Sequence, residues 1–219
     1  MMQANIINAA VKALENNEIV AIPTETVYGL AGNAYSETAV EKIFALKNRP
    51  HFNPLIVHIK SAAVLTSVAK NIPLVALQLA DAFWPGPLTL VLEKQDHILD
   101  IVTGGKNTVG VRVPNHPVAL ELLEQLDFPL AAPSANPFGS ISPTTAKHVA
   151  DYFTDTLAII LDGGSCDKGI ESTIIGFENG QAILYRQGST KVEDIEKITG
   201  PVQIRVHANN ESVLAPGML

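Results

Sequence analysis

TVGVRV, residues 108–113, alternates with a period of two: Val109, Val111 and Val113 fall on one face of an extended strand, and Thr108, Gly110 and Arg112 on the other. One face is core and the other is polar. The glycine between two polar residues leaves room for something to lie on that face. Similar short runs rich in Val, Ile and Leu occupy 18–22, 55–59, 88–93, 158–162, 172–177 and 182–186. Helical spacing separates them, in Ile6, Ala10 and Leu14, and in Val40, Ile43, Phe44 and Lys47 after a Ser36 N-cap and before Pro50. Further helices are predicted over 61–70, 73–83 with Pro73 in the first turn, 116–126 capped by Asn115, 144–153, and 190–198, where Thr190 and Glu193 have capping-box spacing. Interleaved strands and helices predict a central sheet with helices packed on it. Some connections are too short for parallel crossovers, so the sheet is expected to be mixed.

With 219 residues and 47% apolar content the chain can bury a core unaided. Fifteen Lys and Arg against 22 Asp and Glu give a net charge of −7, which argues against a broad electrostatic grip on nucleic acid. Any anion site must be local. One cysteine, Cys166, excludes an internal disulfide framework, and the six histidines show neither i,i+4 pairing nor cysteine partners at metal-ligand spacing. The N-terminus lacks the shape of a signal peptide and no segment reaches the roughly 18 apolar residues of a membrane span. A soluble, cytoplasmic protein with no membrane partner is expected, folded as one domain over residues 1–200 and followed by a short tail over 201–219.

Candidate chemistry lies in a few loops. Lys47 follows the core-facing stripe of its helix and delivers an ammonium near that helix's C-terminal end, where Arg49 and Asn53 share a proline-stiffened loop. Two cations there suggest an anion clamp. The segment APSANPFGSISPTTAKH, residues 132–148, concentrates hydroxyls and amides before a helix that Ser142 or Thr144 could cap, and free N–H groups at such a terminus suit phosphate. No GxxxxGK[ST] or GxGxxG occurs. His58 alternates with apolar neighbours in LIVHI, as a hydrogen-bonded core histidine would. Glu25 sits among Thr24, Thr26 and Tyr28, while Glu171, Ser172 and Thr173 follow the glycine-rich loop that holds Cys166. These residues describe a polar, locally cationic pocket on a mixed sheet.

Nine motifs in order resemble the YrdC-like threonylcarbamoyl-AMP synthases: PTETVYGLA (23–31), KNRP (47–50), NPLIVHI (53–59), WPGPLTLVL (84–92), VGVRVPNHP (109–117), PSAN (133–136), DGG (162–164), GIEST (169–173) and YRQGS (185–189). The resemblance runs from about Asn5 to Gly188. It implies an α+β, mixed α/β fold: an open twisted mixed parallel/antiparallel sheet with surrounding helices and a concave substrate cavity. It also implies nucleotidyl transfer, in which L-threonine, bicarbonate and ATP with Mg²⁺ give threonylcarbamoyl-AMP and pyrophosphate for modification of tRNA. Carried over by residue, Thr26, His58, Arg112, Ala132 and Ser172 would line a threonine pocket. Arg49, Asn53, Thr108, Ser134, Ser142 and Arg186 would contact ATP, with Lys47, Arg49, Ser134 and Asn136 as the catalytic cationic cluster and no residue assigned to a resident metal. Thr108 and Arg112, about 13 Å apart at ~3.3 Å per residue, would serve the two ends of the site, with open space over Gly110 between them.

The implied partners are the downstream tRNA threonylcarbamoyl transferase machinery and a weak direct contact with tRNA. Residues 215–218, APGM, resemble the start of the linker that leads longer members into a second domain, so a single-domain form with a linker-like tail is expected. A non-catalytic RNA-binding module and a carbamoyltransferase-type module are the alternative readings.

Overall fold

The computed structural model describes residues 2–154, 156–205 and 215–216. In chain order the helices are α1 (Met2–Glu15), α2 (Glu37–Lys47), α3 (Leu74–Phe83), α4 (Asp100–Thr103), α5 (Pro117–Glu124), α6 (Ala146–Phe153) and α7 (Val192–Thr199). The strands are β1 (Val20–Ile22), β2 (Gly29–Asn33), β3 (Ile56–His58), β4 (Leu88–Glu93), β5 (Thr108–Arg112), β6 (Leu130–Ala131), β7 (Thr173–Glu178), β8 (Gln181–Arg186) and β9 (Gln203–Ile204). They form one sheet in the order β1-β2-β6-β3-β5-β4-β7-β8-β9 among the described residues. The β3–β5, β4–β7 and β8–β9 pairs are parallel and the rest antiparallel, so the expected mixed sheet is present.

Alternation along the strands sorts the side chains into two layers. Val57, Leu90, Val109, Val111 and Ile175 point into a core roofed by α2, α3, α6 and α7. On the other face, Val20, Ile22, Ala31 and Leu130 pack under α1 and α5 at the β1–β2–β6 end. The remainder of that second face, over β3, β5, β4 and β7, has no covering helix among those described. Its apolar residues Ile56, Val91 and Ile174 gather Ala215 instead, a residue buried from solvent. The concavity that holds the polar residues is therefore the uncovered part of a sheet face.

Local signals account for most elements. Ser36 caps α2 by accepting a hydrogen bond from the Ala39 N–H at 3.3 Å, and Asn48, in the left-handed region at φ 51°, ends it. In α1 the core positions are Ile7, Ala10 and Leu14, while Ile6 is 42% exposed, so the stripe runs i, i+3, i+7 from one residue later than expected. His116, not Asn115, caps α5, accepting from the Val118 N–H through Nδ1. Thr145, not Ser142 or Thr144, caps α6. No capping box forms at α7, because the Thr190 hydroxyl donates to the Pro87 carbonyl instead. The 61–70 stretch holds a short 3-10 helix over Ala62–Ser67. The expected strand at 158–162 reduces to a bridge between Ile160 and Ala21. Strands β2, β6 and β9 carried no readable alternation. In β2, two glycines replace side chains, and a Cβ at Gly32 would come within 3.2 Å of Ile43 on α2.

Of the expected tail over 201–219, residues 201–205 and 215–216 are described; the first of these carry β9, which pairs with β8, so the sheet runs past residue 200, and the rest of the tail lies outside the described residues. No helix among the described residues is long and apolar enough to cross a membrane.

Gly188 lets the segment after β8 approach the backbone that precedes β7. A Cβ there would lie 2.3 Å from the Glu171 carbonyl oxygen and 2.4 Å from the Ser172 carbonyl carbon, neither of which can rotate away. Gly188→Ala is expected to destabilise the protein by about 1–3 kcal/mol, seen as a lower urea midpoint at constant slope. An unchanged midpoint would show that this approach is not constrained.

Candidate active site

A cavity of about 660 Å³ lies on the uncovered sheet face. Its floor is the polar side of β3 and β5, its walls are the 24–29 segment, the loop after α2, the 132–142 loop, and Glu171 with Arg186.

Arg112, on a central strand, is 3% exposed. Its Nε donates to the Gly86 carbonyl at 3.2 Å and Nη1 to Thr26 Oγ1 at 3.0 Å. Nη2 lies 2.7 Å from Glu25 Oε1, a close charge contact without the alignment of a hydrogen bond. Glu25 Oε2 accepts from the Asn115 N–H at 2.9 Å. Donation then runs in one direction from Arg112 to Thr26, from Thr26 to Thr24 at 2.9 Å, and from Thr24 to the Val27 carbonyl at 2.6 Å. That order orients each hydroxyl. Beside Arg112, His58 is buried with neither ring nitrogen hydrogen-bonded within the protein. Burial, reinforced by the Arg112 charge, pushes its pKa down to about 3, so it faces the cavity as a neutral imidazole with one donor and one acceptor. An orphaned buried pair of this kind marks a place for a polar ligand.

The opposite wall is cationic. Lys47, at the end of α2, is 1% exposed, and its ammonium donates to the carbonyls of Ser134 and Asn136, with Asn136 Oδ1 at 3.5 Å. Burial and then Arg49 push its pKa down to about 7, partly offset by Glu171. Its hydrogens hold the loop in place, so what Lys47 supplies to the cavity is charge. Arg49 is fixed by Asn53, through Oδ1 at 2.7 Å and the carbonyl at 3.1 Å, and by the Pro54 carbonyl at 2.8 Å. Its guanidinium carbon lies 5.9 Å from the Phe138 ring centre. Burial pushes Arg49 down to about 10, opposed by Glu171. Arg186 donates to the carbonyl and Oγ of Ser172 at 3.0 and 3.1 Å. Burial lowers its pKa as well, again opposed by Glu171.

Thr26, His58, Arg112, Ala132, Lys47, Arg49, Asn53, Ser134, Asn136, Ser142 and Arg186 all line the cavity, as the sequence led us to expect. Two expected residues do not. Ser172 is fully buried beneath the wall, where its hydroxyl is shared with Thr89 at 2.8 Å and supports Arg186. Thr108 is on the Arg112 side of β5 but outside the lining, because the space expected over Gly110 is filled: Pro216 Cγ would lie 3.1 Å from a Cβ at Gly110. Conversely, Phe138 and Pro216 line the cavity without having been expected there, and Glu171, which lines it, and Glu25, which pairs with Arg112 behind it, were placed in the polar pocket by the sequence but with no role. The carboxylates of Glu25 and Glu171 were visible in the sequence, but their cationic partners are remote along the chain.

The family model described as telomere recombination, covering Sua5, YciO and YrdC, matches residues 12–188. The chain belongs to the Sua5–YciO–YrdC family. It is 47% identical over 215 residues to the threonylcarbamoyl-AMP synthase of Pyrococcus abyssi, covering 97% of this chain and 63% of that protein. It is 44% identical over 212 residues to the Bacillus subtilis threonylcarbamoyl-AMP synthase, covering 95% and 61%. The crystal structure of P. abyssi Sua5 complexed with L-threonine superposes with a TM-score of 0.95 at 45% identity, over 99% of this chain and 64% of that one. The chain thus spans about three fifths of the length of these relatives.

The depressed Lys47 pKa gives a signed expectation for this family member. An anion on the cationic wall requires the ammonium, which deprotonates in the empty site as pH rises through about 7. Binding of sulfate, which does not titrate in this range, is expected to weaken by up to tenfold per pH unit between 7 and 9 and to take up a proton. Calorimetry in buffers of different ionisation enthalpy measures both. A flat profile would mean that Lys47 keeps its proton in the empty site.

Proposed function

We propose that this chain is an L-threonylcarbamoyladenylate synthase, converting L-threonine, bicarbonate and ATP into threonylcarbamoyl-AMP and pyrophosphate for threonylcarbamoyl-adenosine formation in tRNA. The observation that carries the reading is one cavity with two chemically distinct ends, an Arg112–Thr26–His58 corner and a Lys47–Arg49–Arg186 wall. The likeness to a threonine-bound relative supports it. An RNA-binding module is disfavoured, since three of the four arginines face this cavity and not an outer surface.

On this reading the amino acid lies in the first corner, its carboxylate toward Arg112 and its hydroxyl toward the neutral His58, with Ala132 closing the side. Amine and bicarbonate condense to a carbamate with loss of water. A carbamate oxygen attacks the α-phosphorus as the bond to the bridging oxygen breaks and pyrophosphate leaves. Two anions must be held together in line, so positioning and charge neutralisation carry the step. Arg49, held by Asn53, and Arg186, held by Ser172, face the departing phosphates, Ser134 and Ser142 offer hydroxyls, and Lys47 with Asn136 supplies fixed positive charge. No residue is required as general base.

Among the described residues no group of three or more His, Cys, Asp or Glu could hold a metal ion. Among the described residues Glu171 is the one carboxylate lining the cavity. That donor set fits Mg²⁺ carried on nucleotide phosphates, for which Glu171 would be the protein contact. When bound, Mg²⁺ would neutralise phosphate charge.

Purified protein with Mg²⁺ and ATP is expected to release pyrophosphate only when L-threonine and bicarbonate are both supplied, because the nucleophile is their joint product. A coupled pyrophosphate assay with each substrate omitted in turn checks this. Equal release without threonine would overturn the reading.

A further inference from the structure

Two carboxylates serve this site, and they are held very differently. Glu25 is a structural counter-ion: its side chain is 6% exposed, 2.7 Å from the Arg112 guanidinium, and held by a backbone N–H. Glu171 is loosely tied. Oε1 accepts from the Ser142 hydroxyl at 2.7 Å, Oε2 lies 3.6 Å from Arg186 Nη2, and the side chain is 34% exposed. Its backbone, by contrast, is firm, with the carbonyl accepting from the Ser189 N–H at 3.0 Å and Gly188 pressed against it. A fixed main chain thus presents a partly exposed carboxylate, held by one hydroxyl and a long ion pair, into the field of Lys47, Arg49 and Arg186.

A wall of three cations alone would favour the most highly charged anion available, a bare polyphosphate. A carboxylate beside those cations weakens that preference, because it adds a local repulsion for phosphate oxygens. Phosphate oxygens close enough to reach Arg49 and Arg186 also approach Glu171, and the like charges repel. A hard divalent cation removes the conflict, since it binds phosphate oxygens together with one or two carboxylates. Ser142 fits the same arrangement, because its hydroxyl can turn from the carboxylate to a phosphate oxygen once a cation has taken its place.

We propose that Glu171 is the residue that makes occupation of the cationic wall conditional on a divalent cation, rejecting bare polyphosphate and accepting the metal complex. This rests on the reading that the wall receives the ATP phosphates, and it assigns the metal requirement to one side chain of this protein.

The test is equilibrium binding, without turnover. The full chain is titrated with ATP by calorimetry, in the absence of threonine and bicarbonate, once with saturating Mg²⁺ and once with EDTA. Wild type is expected to bind at least tenfold more tightly with Mg²⁺. In Glu171→Gln the two affinities should come within about threefold of each other, chiefly through a gain in EDTA. Glu171→Ala, which removes the charge without leaving an amide, is held to the same criterion, and a threonine-induced rise in melting temperature verifies the fold of each variant. An unchanged ratio of affinities in both variants would overturn the proposal, as would an equal gain in both conditions, which would make Glu171 a simple counter-ion. Absence of ATP binding to wild type under either condition would instead refute the nucleotide reading itself, and this proposal with it.

Discussion

A guanidinium in the middle of the sheet has to be neutralised, and the way this is done organises the loops around it. Arg112 is buried on β5 between β3 and β4, where an uncompensated charge is strongly destabilising. Its partner, Glu25, comes from the segment between β1 and β2. Glu25 in turn holds the Asn115 N–H at the start of α5, and its carbonyl accepts from the Lys168 N–H at 2.9 Å. Tyr28 extends the same clasp, donating to the Gly164 carbonyl at 2.7 Å and accepting from the Gly163 N–H at 3.1 Å. One buried ion pair and a tyrosine thus gather the 24–28, 114–116 and 163–168 segments at one corner of the cavity.

The second corner is built around Lys47 by a different balance. Its desolvated ammonium forms no ion pair among the described residues and is surrounded by oxygen acceptors of Ser134 and Asn136, while the Phe138 N–H donates back to the Lys47 carbonyl at 2.7 Å. The helix end and the 134–138 loop therefore hold each other. Carbonyl dipoles stabilise the charge less completely than a carboxylate would, and burial and Arg49 work against it, which is why its pKa falls to about 7. A cation so weakly compensated is suited to receive an anion. The first corner, where Glu25 pairs with Arg112 but Arg112 Nη2 and both His58 nitrogens are left without hydrogen bonds, is suited to a polar ligand that supplies them.

Much of this was legible in the sequence where the signal is local. The two faces of 108–113 read correctly, because strand period decides them without reference to the rest of the chain. The capping of α2 by Ser36 and the burial of the Lys47 stem followed from helical spacing in the same way. Strand β2 was hidden because GLAGN, buried along most of its length, has no polar alternation and depends on two glycines. The proposed Thr190 cap failed because that hydroxyl found a carbonyl 103 residues away.

What the sequence by itself determined is the set of chemical groups and the side of its own element on which each lies: an arginine and a glycine on the polar face of one strand, a lysine at the inner end of one helix, hydroxyls and amides in one loop. Tertiary structure alone decided which of them meet. The order β2-β6-β3-β5-β4-β7 brings together strands from distant parts of the chain, so Glu25 reaches Arg112, and the 169–173 motif carries Glu171 to the cationic wall. The same closure seats Pro216 over Gly110 and leaves Thr108 outside the cavity it was expected to line. Periodicity is a property of neighbouring residues, whereas pairing of charges and filling of space depend on contacts between segments far apart in the chain, and only the folded sheet specifies those.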